Sequence, residues 1–385
     1  MRLETAKQIP ELDGVRGIAI LLVLVFHFQL MRPASIPWIL GFPLTLGWSG
    51  VDLFFVLSGF LITGILLRTR DSRNYFSSFY ARRALRIFPL YLLIVFAYFV
   101  VALPLCDHCV YLRSSDASLQ AWYWFHLSNW RSAFGQDVGP LAHFWSLSIE
   151  EQFYLVWPMA VLLAGPRWLP YITCGLIVAP LGLRFAYVDT QFGGELIHRL
   201  TPFRIDSLAV GCLVALIVRN DTWAETLAAR VRWIAWVSLG LFGALLVVTR
   251  ASSPVAPGMA TLGYTLLAFI YGCLVFRAFR AAGSAAWFAV QLRRRWLRLL
   301  GKYSYAIYVF HWPIAYARSV LLTGISDQVS EETFAIVWGL SLLGGMAVSF
   351  AAGLASWYLF EKHCLALKKW FVADSDRGKT RDAVR

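Results

Sequence analysis

Apolar residues in this chain come in blocks of roughly 17–25, the length at which an α-helix crosses the hydrocarbon core of a bilayer. The blocks fall near 14–30, 47–67, 88–105, 141–163, 168–186, 202–218, 233–249, 258–276, 303–320 and 334–359, with polar or Pro- and Gly-containing breaks between them. Inside a bilayer every backbone polar group needs a partner from the protein, and a helix satisfies its own segment by segment. The expected fold class is therefore all-α: a polytopic membrane helix bundle of about ten transmembrane helices. Composition excludes the soluble alternative. Hydrophobic residues make up 59% of the chain and charged residues 15%, against about 25% charged in a soluble domain. So few charges do not cover a water-exposed surface of this size.

The formal net charge of +13 admits three explanations: nucleic-acid binding, binding of an anionic substrate, and membrane orientation. Orientation is the default, because the basic residues lie between apolar blocks and not on one continuous face; no nucleic acid is expected as a partner. The clusters Arg68 to Arg86, Arg277 to Lys302 and Lys362 to Arg385 fall on alternate connections, which puts both termini in the cytoplasm. An even number of spans agrees. The first apolar block has no obvious cleavage site and reads as a retained helix. Residues 1–365 read as the transmembrane domain and 366–385 as a polar cytoplasmic tail.

Cys106 and Cys109 form a CxxC in a connection. A local disulfide fits if that connection is outside; a redox or zinc site is weaker, since two thiols and one His are too few to argue for a metal. The same connection, about 106–140, carries Trp122, Tyr123, Trp124, Phe125 and Trp130, and either rests in the membrane interface or lids a cavity. The stretch from Tyr75 to Arg86 reads as a basic amphipathic segment on the inner surface.

An ionisable side chain inside a spanning helix costs on the order of 2.5–3.5 kcal/mol and marks a functional candidate. In the first block Arg16 and His27 lie eleven residues apart, hence on one face and about 16 Å apart along the axis. A packed structural histidine is the even-odds alternative for His27. The fourth block opens with His143, Ser146 and Glu150 at i, i+3, i+7, one polar stripe. Counting from helix ends puts Glu150 about 13 Å and His27 about 10 Å below the outer surface, with Asp52 slightly higher. A His–carboxylate pair at that depth works as general base and orienting partner; a buried structural ion pair is the bland alternative. On the inner side Arg82, Arg83 and Arg86 offer forked guanidinium groups suited to phosphate, or to anionic lipid. His311 lies about 12 Å in from the cytoplasmic side by the same count. Arg204 and Asp206 are read as partners of each other. For His311 and for this pair a structural role stands slightly ahead of a catalytic one.

Taken together, five stretches resemble the acyltransferase-3 family of membrane acyltransferases. They are Leu12-Asp-Gly-Val-Arg16-Gly with His27, Gly50-Val-Asp52-Leu-Phe-Phe-Val-Leu-Ser58-Gly, Arg83-Ala-Leu-Arg86-Ile-Phe-Pro89, Trp145-Ser146-Leu-Ser-Ile-Glu150-Glu-Gln-Phe-Tyr154, and Ser304-Tyr-Ala-Ile-Tyr308 with His311 and Pro313. The resemblance implies transfer of an acyl group, usually acetyl, from cytosolic acyl-CoA to a hydroxyl of an extracytoplasmic carbohydrate or glycolipid, in the bacterial inner membrane. It implies that Arg16 and His27 match the family's Arg-x10-His element, with His27 as catalytic base. Arg83 and Arg86 match the element expected to engage CoA phosphates, and Ser146 and Glu150 the Ser-x-x-x-Glu element.

The site expected from residues and resemblance together is catalytic at His27, Glu150, Asp52 and Ser146, and donor-binding at Arg16, Arg82, Arg83, Arg86 and His311. Acetyl-CoA is expected as a donor substrate, with no permanently bound cofactor. Membrane lipid is the surrounding partner. Many family members carry an additional extracytoplasmic domain; here the chain is expected to act alone or to hand the acyl group to a separate extracytoplasmic acyl-accepting protein. Transfer is either direct or through an acyl-enzyme at Ser58 or Ser146, although a packing serine is the commoner role. The rival class is a multi-span transporter or flippase for a lipid or sugar, but the paired repeats and broken helices of such proteins are not evident.

Overall fold

A computed structural model describes residues 9–36, 44–105, 118–137 and 139–374. Cys106 and Cys109 lie outside the described residues, as does the end of the tail. Among the described residues the chain is helical, with no strand. Nine long helices carry the fold: α1 Pro10–Phe28, α2 Gly50–Thr69, α3 Tyr75–Phe96, α4 Phe144–Tyr187, α5 Thr201–Ile217, α6 Asp221–Thr249, α7 Tyr264–Arg280, α8 Arg295–Ser326 and α9 Glu331–Ser356. Each of the ten apolar blocks falls on one of them. Two blocks share α4, a 44-residue helix interrupted at Gly165, whose φ of 65° and ψ of 174° are not helical; Pro166 follows directly and lacks the N–H that would continue the ladder.

Seven helical segments are long and apolar enough to cross a bilayer. Helix α1 falls outside that group because of its charges, Glu11, Asp13 and Arg16, and α8 because its tyrosines, His311 and Arg318 lower the hydropathy of the apolar block it carries. Some helices begin well before the apolar block they carry: α3 starts at Tyr75 and α6 at Asp221. Apolar content reports the part of a helix in hydrocarbon, whereas the helix itself continues into the polar layer. On the outward faces of α4, α6 and α9, side chains such as Leu163, Tyr171, Trp233, Val248, Leu340 and Leu343 are exposed, as a lipid-facing surface requires.

Between apolar helices in lipid, close approach depends on small residues. Helix α1 packs along α8, and α2 along α5. A Cβ built on Gly301 of α8 would sit 1.8 Å from the Asp13 carbonyl oxygen of α1, and one on Gly17 would sit 2.1 Å from that of Leu297. These are backbone atoms with no rotamer to yield. We expect Gly301→Val to push α1 off α8 and to cost at least the upper end of the ~1–3 kcal/mol typical of overpacking. The readout is the folded, monodisperse fraction in detergent and its thermal midpoint; wild-type values would refute the contact.

In the connection with the aromatic cluster the described residues are 118–137 and 139–140. Two short helices, Gln120–Trp124 and Ser128–Ser132, tuck into the bundle. The Tyr91 hydroxyl of α3 donates to the Tyr123 carbonyl at 2.7 Å, Ser128 pairs with Ser148 of α4 at 2.9 Å, and Gln152 Nε2 donates to the His126 carbonyl at 3.0 Å. Irregular backbone at this depth is tolerated because α3 and α4 supply its partners.

Candidate active site

Helices α1, α2, α3, α4 and α8 enclose a cavity with an open volume of about 840 Å³. Its polar lining comes from residues distant in sequence: Arg16 of α1, Ser58 of α2, Arg83 and Arg86 of α3, Ser146, Glu150 and Tyr154 of α4, and Ser304, Tyr305 and Tyr308 of α8. Arg83 and Arg86, at i and i+3, project together into it. Five expected site residues therefore share one chamber: Arg16, Arg83, Arg86, Ser146 and Glu150.

Within the chamber Glu150 accepts a hydrogen bond from the Tyr154 hydroxyl at 3.1 Å, and that hydroxyl is also bonded to Ser58. Ser146 donates to the His143 carbonyl at 3.1 Å and is bonded to the Tyr308 hydroxyl. Tyr308 is the link to the next layer: its hydroxyl also reaches the His143 carbonyl, at 3.2 Å, and its own carbonyl oxygen meets Nδ1 of His311.

That layer is a cluster of histidines beyond the chamber. Nε2 of His311 lies 3.1 Å from Nδ1 of His27, and the two rings are 4.9 Å apart. His143 packs edge-on against His311 at 5.2 Å, and Trp312 packs edge-on against His27 at 4.8 Å. The hydrogen-bond network assigns the protons. His311 Nδ1–H donates to the Tyr308 carbonyl, so its Nε2 is an acceptor. His27 Nδ1–H then points at that acceptor and at the Val23 carbonyl, 3.0 Å away. His27 Nε2 is left with its lone pair, the state a general base requires.

Several expected placements are corrected. His27 has neither Glu150 nor Asp52 as its partner; its neighbour is His311, because α8 and not α4 packs on that face of α1. His311 was expected among the donor contacts but sits with His27. It lies 16 residues into α8, about 24 Å from the helix start, since α8 begins at Arg295. Asp52 was expected beside His27, but it turns toward α5: its Oδ1 is 2.7 Å from Arg204 Nη2 and accepts from the Ser207 hydroxyl at 2.9 Å, all three residues being fully buried. The assumed Arg204–Asp206 pair does not form either. Residues at i and i+2 face opposite sides of a helix, and Asp206 instead meets Arg184 of α4 in a second fully buried pair. Arg204 stacks over the Tyr264 ring at 3.8 Å.

Arg82 does not line the chamber. It opens on a second, smaller hollow between the C-terminal end of α2 and the N-terminal part of α3, which Arg83 also lines. The residues overlooked in the sequence are the tyrosines. Tyr154 lies one helical turn after Glu150 and Tyr308 three residues before His311, spacings that mark a shared face and would have found them.

The family model described as the acyltransferase domain matches residues 9–354. Among similar proteins are O-acetyltransferase OatA of Staphylococcus aureus, 26% identical over 86% of this chain and 57% of its own length, and putative peptidoglycan O-acetyltransferase YrhL of Bacillus subtilis, 28% identical over 80% and 49%. Peptidoglycan O-acetyltransferase OatA of Listeria monocytogenes is 29% identical over 80% and 49%. The chain thus spans about half the length of these relatives. No solved structure matches it. With that match over nearly all its length, and with the family's five motifs folded around one chamber and its adjoining histidines, this chain belongs to the acyltransferase domain family.

Proposed function

We propose that this protein is a bacterial inner-membrane O-acyltransferase, in the simplest case an O-acetyltransferase, with both termini in the cytoplasm. It moves an acyl group from cytosolic acyl-CoA to a hydroxyl of an extracytoplasmic glycan. The observation that carries this is the chamber itself, with cations at one end and, beyond its other end, a histidine whose base nitrogen is free. Arg16, which lines the chamber with Arg83 and Arg86, sits about 16 Å below His27 along α1, a span suited to a flexible arm with phosphates at one end and a thioester at the other. The relatives' names favour a peptidoglycan sugar as acceptor.

In this reading Arg83, Arg86 and Arg16 hold the donor's phosphates by charge-assisted hydrogen bonds. His27 Nε2 removes the proton from the acceptor hydroxyl as its oxygen attacks the thioester carbonyl carbon. The carbon–sulfur bond then breaks, and the departing thiolate takes the proton back from His27. His311 holds the His27 ring and tautomer, the task a carboxylate performs in a serine-protease triad. Ser146 is tied to Tyr308 and the His143 carbonyl, an arrangement that supports bracing and direct transfer over an acyl-serine. Glu150 with Tyr154 and Ser58 forms the polar wall along which the arm passes.

The test uses inverted membrane vesicles given acetyl-labelled acetyl-CoA, with alkali-labile label followed in the glycan fraction. Label above that of vesicles lacking the protein is expected. Its absence with acetyl-CoA and with longer acyl-CoAs would refute the donor. Arg83→Gln and Arg86→Gln are each expected to raise KM for acyl-CoA about tenfold, the loss of roughly 1.4 kcal/mol from one charge-assisted contact; an unchanged KM in both would remove them from the donor site.

A further inference from the structure

We propose that the hollow beside the chamber is the subsite for the terminal phosphate of the donor's 3′-phosphorylated nucleotide, and that Lys368, beyond the last long helix, is one of its ligands. The proposal rests on acyl-CoA being the donor. The hollow holds about 500 Å³ of free space, part of it open to solvent. Four cations line it, from three separate parts of the chain: Arg68 in the last turn of α2, Arg82 and Arg83 in α3, and Lys368. Among the described residues no carboxylate is in the lining. Like charges gathered in one concave site repel one another and raise the local concentration of anions, so the arrangement fits an occupant that brings several negative charges.

The segment after α9 is held in place for this role. Asn74, at the start of α3, grips it from both sides: Nδ2 donates to the Val372 carbonyl at 2.9 Å, and Oδ1 accepts from the Asp374 N–H at 3.0 Å. Ala373, between them, is 2% exposed and forms part of the wall. A segment assigned by its composition to a free tail thus closes the inner face of the site. Arg83 lines both spaces, so a phosphate held in the hollow is continuous with an arm running up the chamber. The arginine cluster divides accordingly. Arg86 and Arg16 face the arm, Arg82 faces the nucleotide end, and Arg83 bridges them. A lipid headgroup shares the phosphate chemistry, but the shared Arg83 and the protein walls of Thr69, Ser78 and Ala373 favour the donor.

The test is equilibrium binding of CoA and of 3′-dephospho-CoA to the full chain in phosphatidylcholine nanodiscs, repeated with phosphatidylglycerol added. Wild type is expected to bind CoA about tenfold more tightly than 3′-dephospho-CoA, as one charge-assisted contact implies. Lys368→Gln and Arg82→Gln should each lower CoA affinity about tenfold and bring the two ligands level. Lys368→Arg should restore the preference, and Asn74→Ala should weaken it. CoA binding with equal affinity in wild type, Lys368→Gln and Arg82→Gln would overturn the subsite while leaving the proposed function intact. Variants that lose phosphatidylglycerol but keep their CoA affinity would make the hollow a lipid site and overturn it equally. If wild type binds neither CoA nor 3′-dephospho-CoA, the donor itself is wrong and the subsite falls with it.

Discussion

Replacing His27 by alanine is expected to lower acyl transfer by about 10²- to 10⁴-fold, the usual worth of a positioned general base, with the folded protein recovered in near-normal yield. The two halves of that expectation have separate causes. The base nitrogen belongs to the ring, and nothing else around it replaces the ring: His311, the nearest other imidazole, is held by the Tyr308 carbonyl on the far side of His27 Nδ1, and His143 has Nε2 3.2 Å from the Val309 carbonyl. The position of α1, by contrast, is set by its glycine contacts with α8. His27 is half-buried, and truncating it removes one hydrogen bond of about 1 kcal/mol and some ring packing.

His311 supplies the control. His311→Gln keeps an oxygen able to accept from His27 Nδ1–H and should cost about tenfold in kcat, whereas His311→Leu removes the acceptor and should cost about tenfold more. In both, KM for the acyl donor should stay put, because Arg16, Arg83 and Arg86, the arginines proposed to hold its phosphates, are untouched. A His311→Leu enzyme with wild-type kcat would refute the orienting role. A His27→Ala enzyme that is folded and active would remove His27 from the chemistry.

How far the sequence alone reached is clearest at the polar layer. Counting residues from helix ends gave depth, and depth was enough to gather His27, Glu150 and Asp52 at one level. It could not give rotation. Which face of α1 meets α8, and which face of α2 meets α5, depends on where the small residues let helices approach, and Gly17 with Gly301, and Gly59 with Gly211, act in pairs more than 150 residues apart in sequence. One level therefore resolved into three separate partnerships: His27 with His311, Glu150 with Tyr154, Asp52 with Arg204. The motif residues lining the chamber were legible because helical spacing puts Ser146 with Glu150, and Arg83 with Arg86, on common faces. Lys368 was not, since a basic residue after the last helix is what orientation alone requires.

Asp52→Ala is the substitution from which the largest loss of folded protein is expected. It leaves Arg204 charged and fully buried, facing Tyr264 and the His198 carbonyl, with no carboxylate in contact. Breaking a buried pair from one side costs about 3–5 kcal/mol, because the remaining charge keeps its desolvation penalty without its partner. Removing both charges behaves differently, and this separates architecture from chemistry. The double variant Asp52→Leu with Arg204→Met replaces the pair by apolar groups of similar bulk, which is often neutral or stabilising. The Ser207 hydroxyl and the His198 carbonyl each lose a partner; the hydroxyl can turn to a backbone carbonyl of its own helix, and the His198 ring keeps the Tyr264 hydroxyl. If Asp52 is structural, the double variant should recover most of the yield and thermal midpoint lost by Asp52→Ala, and with them most of the acyl transfer per folded molecule. If it recovers the fold but stays as inactive as His27→Ala, Asp52 or Arg204 acts in the reaction itself. The fully buried contact of both charges with each other, and with α5 in place of the His27 layer, is the reason to expect the first result.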